Sequence, residues 1–395
     1  MMTNRFIKYL TLLLSVYGIS SPVLIKGEKE SFLIDKQHIE YFQTKESFSI
    51  EEVVKNKNDW FKSVETDEKF FKIYDTDQYY WLKIEFENQS MLSNWIFENA
   101  DSHIDRFDYF ILTENGEISK PKRAGYALPF KNRDFKYKNF LFEFSSDSKF
   151  TVFICAKSSL HNSFVLKVSR LHSFLGYSLT EYVALGFFYG LLMIMMAYNL
   201  ISFLITKDRL FLFYSLYVVC AILITMSEDG LGFQYLWGSY PFLNKLIFST
   251  SPTLFVLFLS LYSSEFLDLN KNGFLENKWM RFTIVGLIIM LIFNLLQVDI
   301  PFDEWFLLIP YLLILNIALS EHQKGNRFAP YFITAFGFVA FGAFSTTLRM
   351  NGIISGDSVF GVYLFNFCIV IEVLLFAVFQ SEKFRILKKE KERAD

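Results

Sequence analysis

The sequence predicts a two-part membrane protein, an antiparallel β-sandwich outside the cell followed by an all-α bundle of seven membrane-spanning helices. Three observations predict it. The 395 residues are 52% hydrophobic and only 20% charged, with a positive mean hydropathy, too apolar for an ordinary soluble enzyme. The charges are uneven: residues from about 28 to 167 are mixed and charge-rich, whereas from Tyr182 onward long apolar runs alternate with short polar loops, which divides the chain in two. Finally, Lys and Arg fall in alternate loops of the apolar half, and this gives the helices one consistent orientation.

The N-terminus reads as an export signal. Arg5 and Lys8 supply a positive start, and residues 9–19 form an apolar run of about 11 residues, short of the roughly 20 that cross a bilayer as a helix. Gly18 and Ser20 put small residues where a signal peptidase cuts, so cleavage is expected near Ser20. The competing reading is an uncleaved extra helix. No Cys follows the signal, so a lipid anchor is not expected.

The exported part, residues 28–172, alternates apolar and polar residues in short segments. Tyr80-Trp81-Leu82-Lys83-Ile84-Glu85-Phe86 has period two and ends at Asn88; residues 104–112 do the same and stop at Glu114-Asn115-Gly116. Residues 139–144, 150–155 and 163–168 repeat the theme. Short β-branched and aromatic segments between turn residues predict an antiparallel sandwich. A short helix is expected at 50–56, capped by Ser49 and favoured by Glu51 and Glu52 near its N-terminus.

Seven spans follow near residues 182–205, 210–226, 243–262, 282–298, 305–319, 328–348 and 359–379, within a helical domain of 181–380 and ahead of a basic tail at 381–395. With the N-terminal domain exported, the cytoplasmic loops carry Lys207 and Arg209, then Lys271, Lys278 and Arg281, then Lys324 and Arg327; the tail adds Lys383, Arg385, Lys388, Lys389, Lys391 and Arg393. The outer loops are acidic or neutral, with Glu228, Asp229, Asp299, Asp303, Glu304 and Asp357. Export and charge asymmetry therefore agree on a C-terminus in the cytoplasm and an inner or plasma membrane location.

Composition excludes several classes. A net charge of −2 without a basic stripe argues against nucleic acid. Of three Cys, only Cys155 lies in the exported part, so that domain has no internal disulfide and must rest on its apolar core. The 48 Phe reflect the membrane half together with a compositional bias. The sequence lacks the metalloprotease, nucleophile-elbow, P-loop and dinucleotide motifs in a suitable context, and its five His are scattered. An enzyme, a metal site and a cofactor are therefore not expected.

Gly186-Phe187-Phe188-Tyr189-Gly190, then Ala197-Tyr198-Asn199-Leu200, Lys207-Asp208-Arg209, and aromatics through Tyr214 and Tyr217 resemble the start of the seven-transmembrane receptors with diverse intracellular signalling modules. So do the loop Gly230-Leu231-Gly232-Phe233-Gln234-Tyr235-Leu236-Trp237 and the final run Val370-Ile371-Glu372-Val373-Leu374-Leu375 leading into Lys383-Phe384-Arg385. The exported part resembles their type 2 extracellular domain through residues 80–88, Leu128-Pro129-Phe130, Arg133 and Lys138-Asn139-Phe140-Leu141-Phe142. The resemblance implies a jelly-roll domain similar to carbohydrate-binding modules, a helical bundle and a cytoplasmic output. Family members usually continue into a coiled coil and an output domain. About 15 residues follow Gln380 here, too few to fold as a domain, so a cytoplasmic signalling protein acting in trans is the expected partner.

Within this frame some residues are candidates for function. Trp81, Trp95, Tyr109 and Tyr126 can form an aromatic platform for a sugar face, with Arg133 and His103 as polar contacts; the competing role for each aromatic is core packing. Glu372 lies inside the last span, where an ionisable group is costly unless paired or protonated. It is either a switch group or a hydrogen-bonded packing group, with Asn199 and Asn316 as polar neighbours at compatible depth. The loop 230–237 is read both as an interfacial anchor and as a docking element for the outer domain. The tail is read as a positive stop at anionic lipid or as the start of a transmitting helix, with Phe384 and Leu387 as an apolar stripe. The function expected is a receptor for an extracytoplasmic small molecule or glycan, embedded in the lipid bilayer and able to form a homodimer. The rivals are a membrane-anchored binding or scaffold protein and a transporter; the last calls for broken helices and several intramembrane charges.

Overall fold

The computed structural model describes residues 21–26, 30–64, 71–73, 75–76, 78–90, 94–101, 103–145, 149–159, 163–269, 277–298, 303–350 and 359–394. The expected export signal at 1–20 lies outside the described residues, as do Lys271, Asp299 and Asp357 of the loops. The chain forms two compact units, one of residues 1–180 with 229–244 and one of residues 181–228 with 245–395.

The first unit is a β-sandwich. Its strands are β1 (Val23–Ile25), β2 (Ser31–Leu33), β3 (Ile39–Thr44), β4 (Lys62–Ser63), β5 (Phe71–Lys72), β6 (Tyr79–Asn88), β7 (Asn94–Asn99), β8 (Arg106–Thr113), β9 (Lys122–Ala124), β10 (Phe140–Ser145), β11 (Lys149–Lys157), β12 (Ser163–Phe164) and β13 (Leu166–Arg170). One sheet has the order β4-β3-β6-β11-β8-β9, with β1 beside β6; the other has the order β10-β7-β13-β2, and β5 pairs with β12. The inward residues of β6 (Tyr80, Leu82, Ile84, Phe86) share one core with Trp95 and Phe97 of β7, Phe140, Phe142 and Phe144 of β10, and Val152 and Ile154 of β11. Within it the rings of Tyr109 and Phe142 stack at 4.6 Å between centroids.

The opposite face of the first sheet is covered as well. Phe42, Trp81, Phe110, Leu112, Phe153 and Cys155 form a second apolar layer with Ile50 and Val53 of helix α1 (Ile50–Lys55), which is followed by α2 (Lys57–Trp60). Ser49 caps α1 as the sequence predicts: its hydroxyl accepts from the Glu52 N–H while the Glu52 carboxylate accepts from the Ser49 N–H at 2.8 Å. Strand β7 escaped the sequence reading because five of its six residues are buried, Glu98 included. A strand covered on both faces does not alternate.

The second unit is helical. Helices α3 (Leu171–Thr206), α4 (Arg209–Glu228), α6 (Phe242–Phe266), α7 (Lys278–Leu295), α8 (Asp303–Gln323), α9 (Ala329–Met350) and α10 (Val359–Ala394) supply seven segments long and apolar enough to cross a membrane, with the short α5 (Leu231–Tyr235) between α4 and α6. Helix α3 starts well before the apolar run at 182, directly after β13, because His172, Ser173 and Ser178 are polar without breaking a helix. Its first turns lie in the β unit, where Phe174 packs on Tyr137 at 5.1 Å and the Tyr177 hydroxyl donates to Glu98. In the helical unit, large apolar side chains such as Phe187, 79% exposed, face outward, as they do toward lipid. Gly342 lets α9 approach α10 closely: a Cβ there would stand 2.9 Å from the Cβ of Cys368.

Burial pushes the Cys155 thiol up to about 12; the nearby Arg106 opposes this and Asp108 reinforces it. A membrane-impermeant maleimide at neutral pH is expected to leave Cys155 unmodified in the native protein and to label it after unfolding. Rapid native labelling would contradict the second layer. Ser49→Ala removes the cap of α1 and is expected to cost about 1 kcal/mol, read from thermal unfolding.

Candidate functional site

Two polar constructions stand out, one in each unit. In the β unit the segment Asp229–Asn244, which joins α4 to α6, packs on the sandwich. Gly230 opens it at φ 74°, a conformation glycine adopts without penalty. The Phe130 N–H donates to the Gly238 carbonyl at 2.9 Å, and Gln234 donates to the Lys136 carbonyl at 2.9 Å. Asn244 bridges the segment to the domain: its Oδ1 accepts from the Trp237 indole at 2.6 Å, and its Nδ2 donates to the Tyr126 carbonyl at 2.7 Å. Phe233 sits edge-on to Tyr126 and Phe130.

Arg133 organises the same corner. Its Nη1 donates to the carbonyls of Tyr137 at 3.1 Å and Lys138 at 2.6 Å. Its guanidinium lies 4.6 Å from the Phe140 ring centroid, 4.8 Å from Phe130 and 5.4 Å from Phe233, the planar stacking that suits Arg better than Lys. The His103 ring meets Tyr126 at 5.2 Å.

The structure therefore separates the residues expected to bind a ligand. Tyr126, Arg133 and His103 come together beneath the 229–244 segment. Trp95 and Tyr109 lie in the core between the sheets, and Trp81 lies in the second layer under α1. All four aromatics are at most 3% exposed and offer no ring face to solvent. Burial also raises the Tyr109 phenol above its ordinary range. The 230–237 loop packs within the β unit, and Tyr235 and Leu236 stay exposed.

The second construction runs along α10. Ile369, Glu372, Val373, Phe376, Gln380 and Lys383 are buried at helical spacing and form one face of the helix. Tyr214 and Tyr217 of α4 and Tyr262 of α6 meet this face; the rings of Tyr214 and Tyr262 contact Phe376 at 5.8 and 4.9 Å. Glu372 is 0% exposed. Both its carboxyl oxygens, the hydroxyls of Tyr217 and Tyr262 and both amide atoms of Gln380 close no hydrogen bond among the described residues. Tyr217 nonetheless stands beside Glu372, and Tyr262 beside Gln380.

Asn199 is buried on α3, but its amide donates to the Met195 carbonyl of its own helix at 2.8 Å. Asn316 is exposed. The polar groups gathered around Glu372 are instead phenols.

At the far end of this face, Lys383 donates to the carbonyls of Phe266 at 2.7 Å and Glu265 at 3.2 Å and to the Asp268 carboxylate at 2.9 Å. Its ammonium also lies over the Phe266 and Phe328 rings. A cation at the C-terminus of α6 meets the last carbonyls of the helix and the negative end of the helix dipole. By sequence Lys383 belongs to a basic tail that is either a positive stop at anionic lipid or the start of a transmitting helix; the structure buries it as a clamp. The signal was the helical periodicity from Ile369, which continues through Gln380 and Lys383. Phe384 of the expected stripe is exposed, and the Leu387 side chain lies outside the described residues. At the other end of α10, Tyr363 donates to Glu181 of α3 at 2.5 Å.

A β-sandwich and, in the same chain, seven membrane-length helices, the last of them fastened on either side of Glu372, are the parts of a multi-pass membrane receptor with an extracellular domain. Residues 181–382 match the family model described as 7TM diverse intracellular signalling, and residues 36–170 match the model described as 7TMR-DISM extracellular 2. The chain belongs to this family of seven-helix receptors. No curated protein matches it.

Asn244→Ala strips partners from the buried Trp237 indole and Tyr126 carbonyl together. A loss of about 1–3 kcal/mol is expected, read from the unfolding transition of the purified chain in detergent. An unchanged transition would mean that the bridge contributes nothing.

Proposed function

We propose that the protein is an inner- or plasma-membrane receptor that binds an extracytoplasmic small molecule or glycan on its β domain. It relays the event through the helices to a cytoplasmic signalling protein in trans. Family membership supports the receptor class. The observation that carries the relay is α10: one uninterrupted helix from Val359 to Ala394 holds Glu372 and Lys383 on its buried face and continues as a charge-rich segment. A helix fastened at both ends has discrete packings rather than a continuum, and a ligand that favours one packing shifts the population. The distribution of Lys and Arg supports a cytoplasmic position for that segment.

The test is a glycan array probed with the full chain in nanodiscs, followed by spin-label distances between Glu392→Cys and Arg209→Cys, in a background lacking the native cysteines, with and without the glycan that binds. A ligand-dependent change in the distance distribution is expected. Binding with an unchanged distribution would favour an anchored binding module without relay, and no binding across the array would remove the glycan assignment.

A further inference from the structure

Glu372 needs an account that receptor function does not supply. Its carboxyl is fully buried in the bundle with both oxygens unpartnered among the described residues, whereas buried polar atoms almost always find partners. The groups facing it are known element by element. Helix α4 presents Tyr214 and Tyr217, α6 presents Tyr262 and α8 presents Tyr311, while α9 brings Phe332 onto Phe376 beside it. On α10 itself the next polar groups are Gln380 and the cation Lys383. The latter is eleven residues on, about 16 Å along the helix at 1.5 Å per residue, and is already engaged by Asp268. No cation among the described residues is placed to balance an ionised Glu372, and such a charge in a membrane interior is expensive.

We infer that Glu372 is a proton-binding site of the bundle core, occupied in the packing described and reached from the Lys383 end of α10 by way of Tyr262 and Gln380. The ligand class follows from the surroundings. A bound proton turns the carboxylate into an acid that can donate to a phenol such as Tyr217, and it needs no cavity. A hard metal cation would call for several carboxylate, carbonyl or water oxygens, and Glu372 brings a single carboxylate to phenols. The route follows from the unpartnered atoms. Along α10, Gln380, 1% exposed, lies between Glu372 and the clamp, and the Tyr262 hydroxyl of α6 stands beside it; once these groups turn into hydrogen bonds with one another they pass a proton on, the phenol accepting one on its oxygen as it releases its own. On proton release the ionised carboxylate no longer suits a phenol-lined core, so the packing of α10 against α4 and α6 is linked to proton occupancy.

Infrared difference spectroscopy of the full chain in nanodiscs tests this without any extracellular ligand, so its outcome is separate from that of the receptor reading. At neutral pH the protonated carboxyl C=O band of a buried acid is expected, lost in Glu372→Gln, retained in Glu372→Asp, and bleached reversibly in the wild type as pH is raised. Gln380→Leu is expected to keep the band and slow its shift on transfer to deuterium oxide. A wild-type spectrum without the band would overturn the site, even if the Gln variant failed to fold. Stabilisation by sodium in place of the band would replace the proton with a cation and also overturn it. Unaltered deuterium kinetics in Gln380→Leu would overturn the route.

Discussion

A helix in a bilayer must close its backbone hydrogen bonds internally, because the surrounding hydrocarbon offers it no partners. Only side chains are then left to decide how it packs on its neighbours, and lipid supplies little hydrophobic preference for one face over another. In this protein that decision falls on the buried face of α10. Phe376 interlocks with Tyr214, Tyr262 and Phe332, while Glu372, Gln380 and Lys383 occupy the same face. Aromatic contacts set how closely the helices approach, and the polar groups set the register. A rotation of α10 by one residue would put the amide and the ammonium where exposed Ser381 and Phe384 stand, or the carboxyl where exposed Ile371 stands.

The two ends of that face are chemically opposite. At the clamp every donor of Lys383 faces an acceptor, two carbonyls and a carboxylate, and two rings lie beneath it. At the other end the Glu372 carboxyl oxygens and the Tyr217 hydroxyl stand near each other but close no hydrogen bond among the described residues. The satisfied end can hold the helix, while the unsatisfied end supplies a group whose charge can change. The Tyr363–Glu181 hydrogen bond toward the other terminus and the Lys383 clamp hold α10 on either side of Glu372.

Much of the fold was legible because its signals are periodic. Residues 80–86 alternate, and β6 follows them; seven long apolar runs became seven helices; Ser49 and Glu52 closed the expected cap. What escaped was structure whose periodicity is masked. Strand β7 is covered on both faces and includes the buried Glu98, and the start of α3 is too polar to resemble a span. At the sites, residue type misled. Trp81, Trp95 and Tyr109 look like a sugar platform in sequence, but an aromatic on a two-layered sandwich has more places to be buried than exposed. Arg133 looked like a ligand contact and instead serves carbonyls and rings of its own domain. Glu372 could be singled out from sequence because a charge within an apolar run has no bland background. Its phenol surroundings come from three other helices and leave no mark near it in the chain.

The segment from Asp229 to Asn244 bears on how the protein is made. It belongs with the β unit, yet the ribosome delivers it only after α3 and α4 have been synthesised. Until then the nascent domain lacks the partner of the Tyr126 carbonyl and the ring that covers Arg133. Its last corner must therefore stay open during translation and close once the second helix has emerged, which makes membrane insertion a step in the folding of a domain that lies in water.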